Sequence, residues 1–369
     1  MLHILTACVL CGVLATGACR KKDAGPSPSD NILAYEIKEV PVTQDYTVGA
    51  FYTSAITFNA AVKDTPLLGR YTMPNGVVNP TVMSGQINYA IKGGVDYFVF
   101  SLRSASRDLN NYKLDSAVVK SFVDANSGKM KFALAYNWVV NTYGVTQTAP
   151  LEKDVVKLEQ FIQDFLRMVP WLKQTDYLQV NGKPVVYIKQ AQDILSNDNV
   201  AIYTSLRSRL NAAGVSVYFV GMQNAWTPPA RYDFRFEKCV DAIYHQSLSG
   251  TGLTSWDRYY LLPQAMDQNW KYSKEYFKNE YKLSFVPNIS AGYDPRVLNP
   301  NSLNAVYGHA DNGVLYRKLC NVAKMNADEQ TRLILIDSFN DWLNDTQIEP
   351  SVRYGELYLD ITRSEFKKQ

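Results

Sequence analysis

Histidine is nearly absent from this chain, with 3 among 369 residues, and the 5 cysteines do not gather with it at any metal-ligand spacing. Cys8 and Cys11 fall in an apolar leader, which leaves Cys239 and Cys320 in the main body, and no His-Glu-x-x-His run occurs. These absences argue against a protein-held zinc site, and no metal or cofactor is expected. Charge of one sign is lacking too: 38 basic against 35 acidic side chains give a net charge of +3. Without a basic stripe interleaved with aromatics, a nucleic-acid partner has no footprint here. What the chain does have is apolar and aromatic mass, 46% hydrophobic with 25 Tyr, 15 Phe and 6 Trp, which is ample for one large core.

The uncharged run from Ile4 to Ala18 is too short to span a bilayer but suits the core of a signal peptide. It closes on "TGAC", with small residues before Cys19, and so resembles a bacterial lipoprotein signal in which that Cys becomes the lipidated first residue. The alternative is an ordinary secretory signal. The tail that follows, "RKKDAGPSPSD", cannot bury a core and reads as a flexible spacer. The expected organisation is a signal over 1–18, a lipidated Cys and tether over 19–45, and one domain over 46–369. The resemblance implies a bacterial cell envelope location with a membrane contact through a lipid anchor. In an oxidising compartment Cys239 and Cys320 are free to bridge, although two buried thiols are the expected outcome.

Past the tether, strand-like runs alternate with helix-like ones. Strands are expected over 47–54, 95–102, 130–138, 183–189, 215–222, 241–248, 283–294 and 331–339. Helical spacing appears over 80–92, 113–126, from Val155 to Val169, and over 199–213, 256–281, 311–326 and 352–367. About eight β-then-α units predict an α/β fold, a single (β/α)₈ TIM barrel. A doubly wound open sheet usually carries a Gly-rich phosphate turn after its first strand, and "AFYTSAITF" has none.

In such barrels the reacting groups come from the C-terminal ends of the strands. Those ends are rich in rings, amides and charge: Tyr52, Arg103, Asn137, Trp138, Lys189, Gln190, Gln223, Trp226, His245, Gln246, Tyr293, Asp294 and the run Asp337 to Asp341. Aromatic faces stack on the C–H face of a pyranose, while amides and carboxylates bond its hydroxyls. The concentration of such groups points to a polyhydroxylated ligand. Tyr52, Trp138, Trp226, His245, Tyr293, Asp294 and Trp342 are the candidate binding residues.

The stretch "SFNDWLNDTQIEPSVRYGELYL", residues 338–359, carries a more specific signal. It resembles the strand-8 signature Ser-Phe-Asn-Glu-Trp-His-Glu-Gly-Thr-Gln-Ile-Glu-Pro of glycoside hydrolase family 99, the endo-α-mannosidases, and the related WbsX-type proteins. Weaker echoes are "VGAFYTS", "YLQVNGKPVVYI" and "VPNISAGYD". The resemblance implies a glycan-binding barrel whose partner is an oligosaccharide or polysaccharide, α-mannoside-like, with hydrolysis as the family chemistry. The family's two catalytic glutamates fall on Asp341 and Asn344. The first would deprotonate the sugar's own 2-hydroxyl and the second would protonate the leaving oxygen. Asp341 keeps the charge and is one methylene short; Asn344 keeps the shape and has no proton to give. The family's His is Leu343 and its Gly is Asp345. Glu349 matches the Ile-Glu-Pro glutamate and is either a structural residue of the loop or a replacement acid. Asp345 would need a rearranged loop to act as one. Three readings remain open: a glycosidase with a non-family acid, a non-catalytic glycan binder, and a scaffold for a protein partner.

Overall fold

The structure, a computed structural model, describes residues 32–54, 58, 62, 64–246, 261–303, 307–309 and 311–369. The chain divides into two compact units, Met1–Glu36 and Ile37–Gln369. In the first, the described residues form a turn in which the Tyr35 N–H donates to the Leu33 carbonyl. Cys19 and the leader lie outside the described residues. Within the second unit, the Val40 N–H donates to Asn321 Oδ1 and its carbonyl accepts from Lys324 Nζ, so the segment after Ile37 runs along the barrel wall.

Eight parallel strands build the second unit: β1 (Thr47–Tyr52), β2 (Tyr97–Leu102), β3 (Lys131–Asn137), β4 (Lys183–Lys189), β5 (Tyr218–Gln223), β6 (Ala242–His245), β7 in two pieces (Ser284–Val286 and Asn288–Ile289) and β8 (Leu333–Ile336). Each is uncharged or nearly so along its length because helices cover the sheet from outside while the barrel interior covers it from within. Pro287 splits β7, since proline has no N–H for the ladder. Its carbonyl still accepts from the Leu335 N–H. The first piece of β7 pairs with β6 and the second with β8, which pairs in turn with β1; the barrel closes there. This is a (β/α)₈ barrel.

Among the described residues seven helices of ten residues or more lie outside: α1 (Pro80–Lys92), α2 (Leu109–Asn126), α3 (Val155–Leu166), α4 (Asn199–Ala212), α5 (Leu262–Tyr281), α6 (Val314–Asn326) and α7 (Leu357–Phe366), with shorter turns of helix at Val140–Tyr143 and Val169–Leu172. Their starts follow local chemistry. Asn79, Asp154 and Asp198 accept from the N–H groups two or three residues on, and Pro80 opens α1. Between β5 and β6 only two 3-10 turns, Pro229–Arg231 and Asp233–Arg235, make the connection.

The register fixes which side chains face inward. Gly49 on β1 pairs with Tyr97 on β2, and a Cβ at Gly49 would stand 2.1 Å from Tyr97 Cζ. The absent side chain is what lets that ring fill the barrel, where its hydroxyl meets the Tyr187 hydroxyl at 2.8 Å. One layer higher, Phe51 packs near the rings of Tyr187 and Tyr244 and floors the space above. Cys239 and Cys320 are both buried and unbridged.

Candidate functional site

Above that aromatic floor opens a cavity of about 480 Å³. Every strand contributes to its wall: Phe51, Ser101, Asn137, Lys189, Met222, Tyr244 and Asn288 from β1 to β7, and Asp337 just past β8. These are alternate residues of one continuous inward-facing set, because paired positions on parallel neighbours point the same way. Asp341, Gln246, Gln190 and the Arg103–Asp115 pair complete the rim. A larger cavity of about 900 Å³ lies at the opposite end, beside Asp96 and Lys131 at the strand starts. Barrel chemistry belongs to the C-terminal end, where the smaller cavity is.

Two cavity groups are buried with nothing to bond among the described residues. Tyr244 Oη and Asn288 Oδ1 have no hydrogen-bond partner among the described residues, although Asn288 Nδ2 donates to the His245 carbonyl. Burial, and then the nearby Asp337 charge, hold the Tyr244 phenol far above its usual pKa, so it is a neutral donor at any working pH. Buried polar atoms without partners are uncommon and call for a ligand or water.

The loop after β8 is fastened to β1. The Phe339 N–H donates to the Phe51 carbonyl, and the Thr53 N–H donates to Asn340 Oδ1. Within the loop Asp341 caps a turn. Its Oδ1 accepts from the N–H groups of Leu343 and Asn344, and its Oδ2 accepts from Asn344 Nδ2 at 2.7 Å. Asp341 and Asn344 therefore stand in contact as a carboxylate and an amide. The Asn344 carbonyl accepts from the Asp294 N–H, tying this loop to the one after β7.

Glu349 takes a different place. It is buried and absent from the cavity wall, with Oε2 accepting from Tyr71 Oη and Trp342 Nε1 and Oε1 accepting from Gln86 Nε2. Burial pushes its pKa up to about 7, against the pull of those three donors. Its network organises the loop: Trp342 packs with Val62 and Tyr71, and Gln86 on α1 in turn accepts from Tyr52 Oη. Asp345 turns to His309, Oδ1 to Nδ1 at 3.1 Å, while His309 Nε2 meets the Gln347 carbonyl. Gly292 makes room, since a Cβ there would stand 2.8 Å from both the Asp345 carbonyl and His309 Nδ1.

Of the sequence-derived binding residues, Tyr52 lies at the cavity edge, beside Asp341 from the candidate catalytic set, whereas Trp342 turns away from the cavity onto Val62 and Tyr71. The Tyr52 ring turns outward onto Phe98 and Phe100. Trp138 and His245 have the same outward parity. Trp138 is fully buried, stacked on Tyr143 and donating to the Asp193 carbonyl. His245 lies edge-on to Phe285 facing Asn269, and burial lowers its pKa to about 4. Trp226 sits at φ 60° in the β5 loop with its indole packed on the core. Tyr293 packs on Tyr307 in a small hairpin, and Asp294 holds Arg296 through both oxygens. Tyr244, Asn288, Ser54 and Asp115 were not singled out by sequence reasoning. No hydrophobic pattern marked the first two, because their strands are buried on both faces.

Over residues 75–362 the chain matches the family described as Glycosyltransferase WbsX. The chain belongs to the WbsX family. Among solved structures, a protein described as "Glycoside hydrolase-like protein" shares 30% identity at a TM-score of 0.81, covering 93% of this chain and 99% of its own. The GH99 endo-alpha-mannosidase from Bacteroides thetaiotaomicron in complex with BIS-TRIS-Propane is 19% identical at a TM-score of 0.61, covering 88% and 97%. A GH113 β-1,4-mannanase is 10% identical at 0.50, covering 88% and 100%. No curated protein matches. This WbsX member thus has a GH99-like barrel. Among its described residues no three His, Cys, Asp or Glu side chains come together as a metal ion would need, and no helix is long and apolar enough to cross a membrane.

Proposed function

We propose that this WbsX-family barrel binds a glycan in the cavity at the C-terminal ends of its strands, and that it turns over α-mannosides slowly at best. The observation that carries this reading is the cavity itself. Carboxylates, amides and an unbonded tyrosine hydroxyl ring an aromatic floor, which is the donor and acceptor mixture a sugar's hydroxyls require. The family's description speaks of glycosyl transfer and the structural relatives' of hydrolysis. Both reactions break a bond at the anomeric carbon and differ in what accepts the glycosyl unit.

Asp341 supplies the one carboxylate of the 341/344 pair. Asn344 can donate a hydrogen bond to a glycosidic oxygen but cannot pass a proton as the bond breaks, and general acid catalysis contributes roughly 10²–10⁴-fold. Its amide is moreover engaged by Asp341. Glu349 and Asp345 do not make good the loss, since one is buried behind the loop and the other faces His309. The test is to titrate the protein with α-mannan oligosaccharides and a mixed glycan panel while following product release. Binding with little release supports the proposal; brisk release that survives Asn344→Ala overturns its catalytic half.

We also propose that Cys19 is the lipidated N-terminus of an envelope lipoprotein, on the strength of the leader and the small residues before it. Cys19→Ser should move the protein from the membrane fraction to the soluble one. Retention in the membrane, or a mature N-terminus elsewhere by mass spectrometry, would remove the anchor.

A further inference from the structure

The cavity is electrically polarised across the barrel axis. Asp337 and Asp341 follow β8, and Lys189 ends β4, four strands away in either direction and so on the opposite wall. Lys189 is in none of the ion pairs formed among the described residues; its ammonium lies 5.1 Å from the centre of the Phe51 ring, over the cavity floor. Its neighbours do not neutralise it, being Asn137 on β3 and Met222 on β5. The other rim cation, Arg103, is already matched: its guanidinium holds both oxygens of Asp115, which Ser54 Oγ also reaches. Lys189 is therefore a half-buried charge set over an aromatic ring, with no counter-charge among the described residues. Such a group binds an anion far better than a neutral hydroxyl.

We propose, building on the glycan reading above, that the glycan is acidic: a sugar in the cavity carries a carboxylate or sulfate that pairs with Lys189 Nζ. Tyr244 Oη and Asn288 Oδ1, a donor and an acceptor without partners among the described residues on the wall between the two poles, hold a hydroxyl of the same unit. The anionic substituent faces β4 and the glycosidic bond faces Asp341. A neutral mannoside satisfies only the second half of this arrangement.

The test uses the full chain in low-salt buffer and three probes: neutral α-mannan oligosaccharides, oligouronates with their methyl esters, and sulfated oligosaccharides. Calorimetry should find one acidic class bound at least about tenfold tighter than its neutral counterpart, with the preference shrinking as salt rises. Lys189→Met should erase that preference while unfolding at the wild-type temperature, and Lys189→Arg should keep most of it. Preference for uronate or for sulfate identifies the anion. Equal affinity for acidic and neutral glycans, or a preference that survives Lys189→Met, overturns this inference and leaves the glycan reading standing. Binding of no glycan at all overturns both.

Discussion

Glu349 collects three donors on a carboxyl that burial holds near pH 7, and its titration reports on the whole β8 loop. Its folded-state pKa lies above its ordinary value near 4.5, so the folded protein keeps a proton that the unfolded chain gives up. Stability from this group is full below about pH 4.5 and is lost as pH rises through 7, by roughly 3 kcal/mol in all. Denaturant melts across that window should show the decline, and Glu349→Gln should flatten it. An unchanged slope in the variant would move the effect elsewhere. Trp138 makes a second prediction at this scale. Because its indole is buried against Tyr143, Trp138→Ala should cost about 3–5 kcal/mol of stability. The milder Trp138→Phe should leave glycan affinity alone, as an inward-facing contact would not.

Among the elements, β4 and α1 have the bounds the sequence suggests, 183–189 and 80–92, because each is framed by strong local signals. The "NGK" turn precedes one; Asn79, Pro80 and Gly93 bracket the other. Parity was harder to read. A strand buried on both faces has no polar side, so hydrophobicity does not tell Tyr52 from Phe51 or His245 from Tyr244. That is why outward rings stood among the expected binding residues while Tyr244 and Asn288 did not. The seventh strand, expected over 283–294, breaks at Pro287 and ends at Ile289, which puts Asn288 rather than Asp294 on the cavity wall. The Asp341 loop was legible from its motif, yet its backbone carries one further constraint. Asp345 sits at φ 54°, where the resembled signature has Gly. Asp tolerates the left-handed region better than most residues, and its side chain gains His309 in exchange for Gly's freedom. On β1, Gly49→Ala would drive a methyl into the Tyr97 ring. We expect a loss of about 1–3 kcal/mol, the scale of overpacking, measured by thermal unfolding, and little relief from adding Tyr97→Phe, because the nearest atoms are the ring carbons Cζ and Cε2 that Phe keeps.

Taken as a whole molecule, the barrel brings eight strand ends to one cavity with acid on one wall and Lys189 on the other, and the loop after β8 sets Asp341 against the Asn344 amide. Restoring the acid with Asn344→Glu must first break the Asn344–Asp341 bond and set two carboxyls side by side, where they would share a proton. Activity on an α-mannoside should rise most when Asp341→Glu accompanies it, with the two effects non-additive. The location of the glycan is the claim on which the rest depends. Asn137 faces into the cavity at the end of β3 and Trp138, the next residue, faces away. The direct measurement is calorimetric titration of the best glycan from the panel into wild type and Asn137→Trp, with Trp138→Phe as the outward control. An indole at 137 should intrude into the cavity and weaken binding by more than about tenfold, while the control binds as wild type does. Undiminished binding by a folded Asn137→Trp would contradict the account.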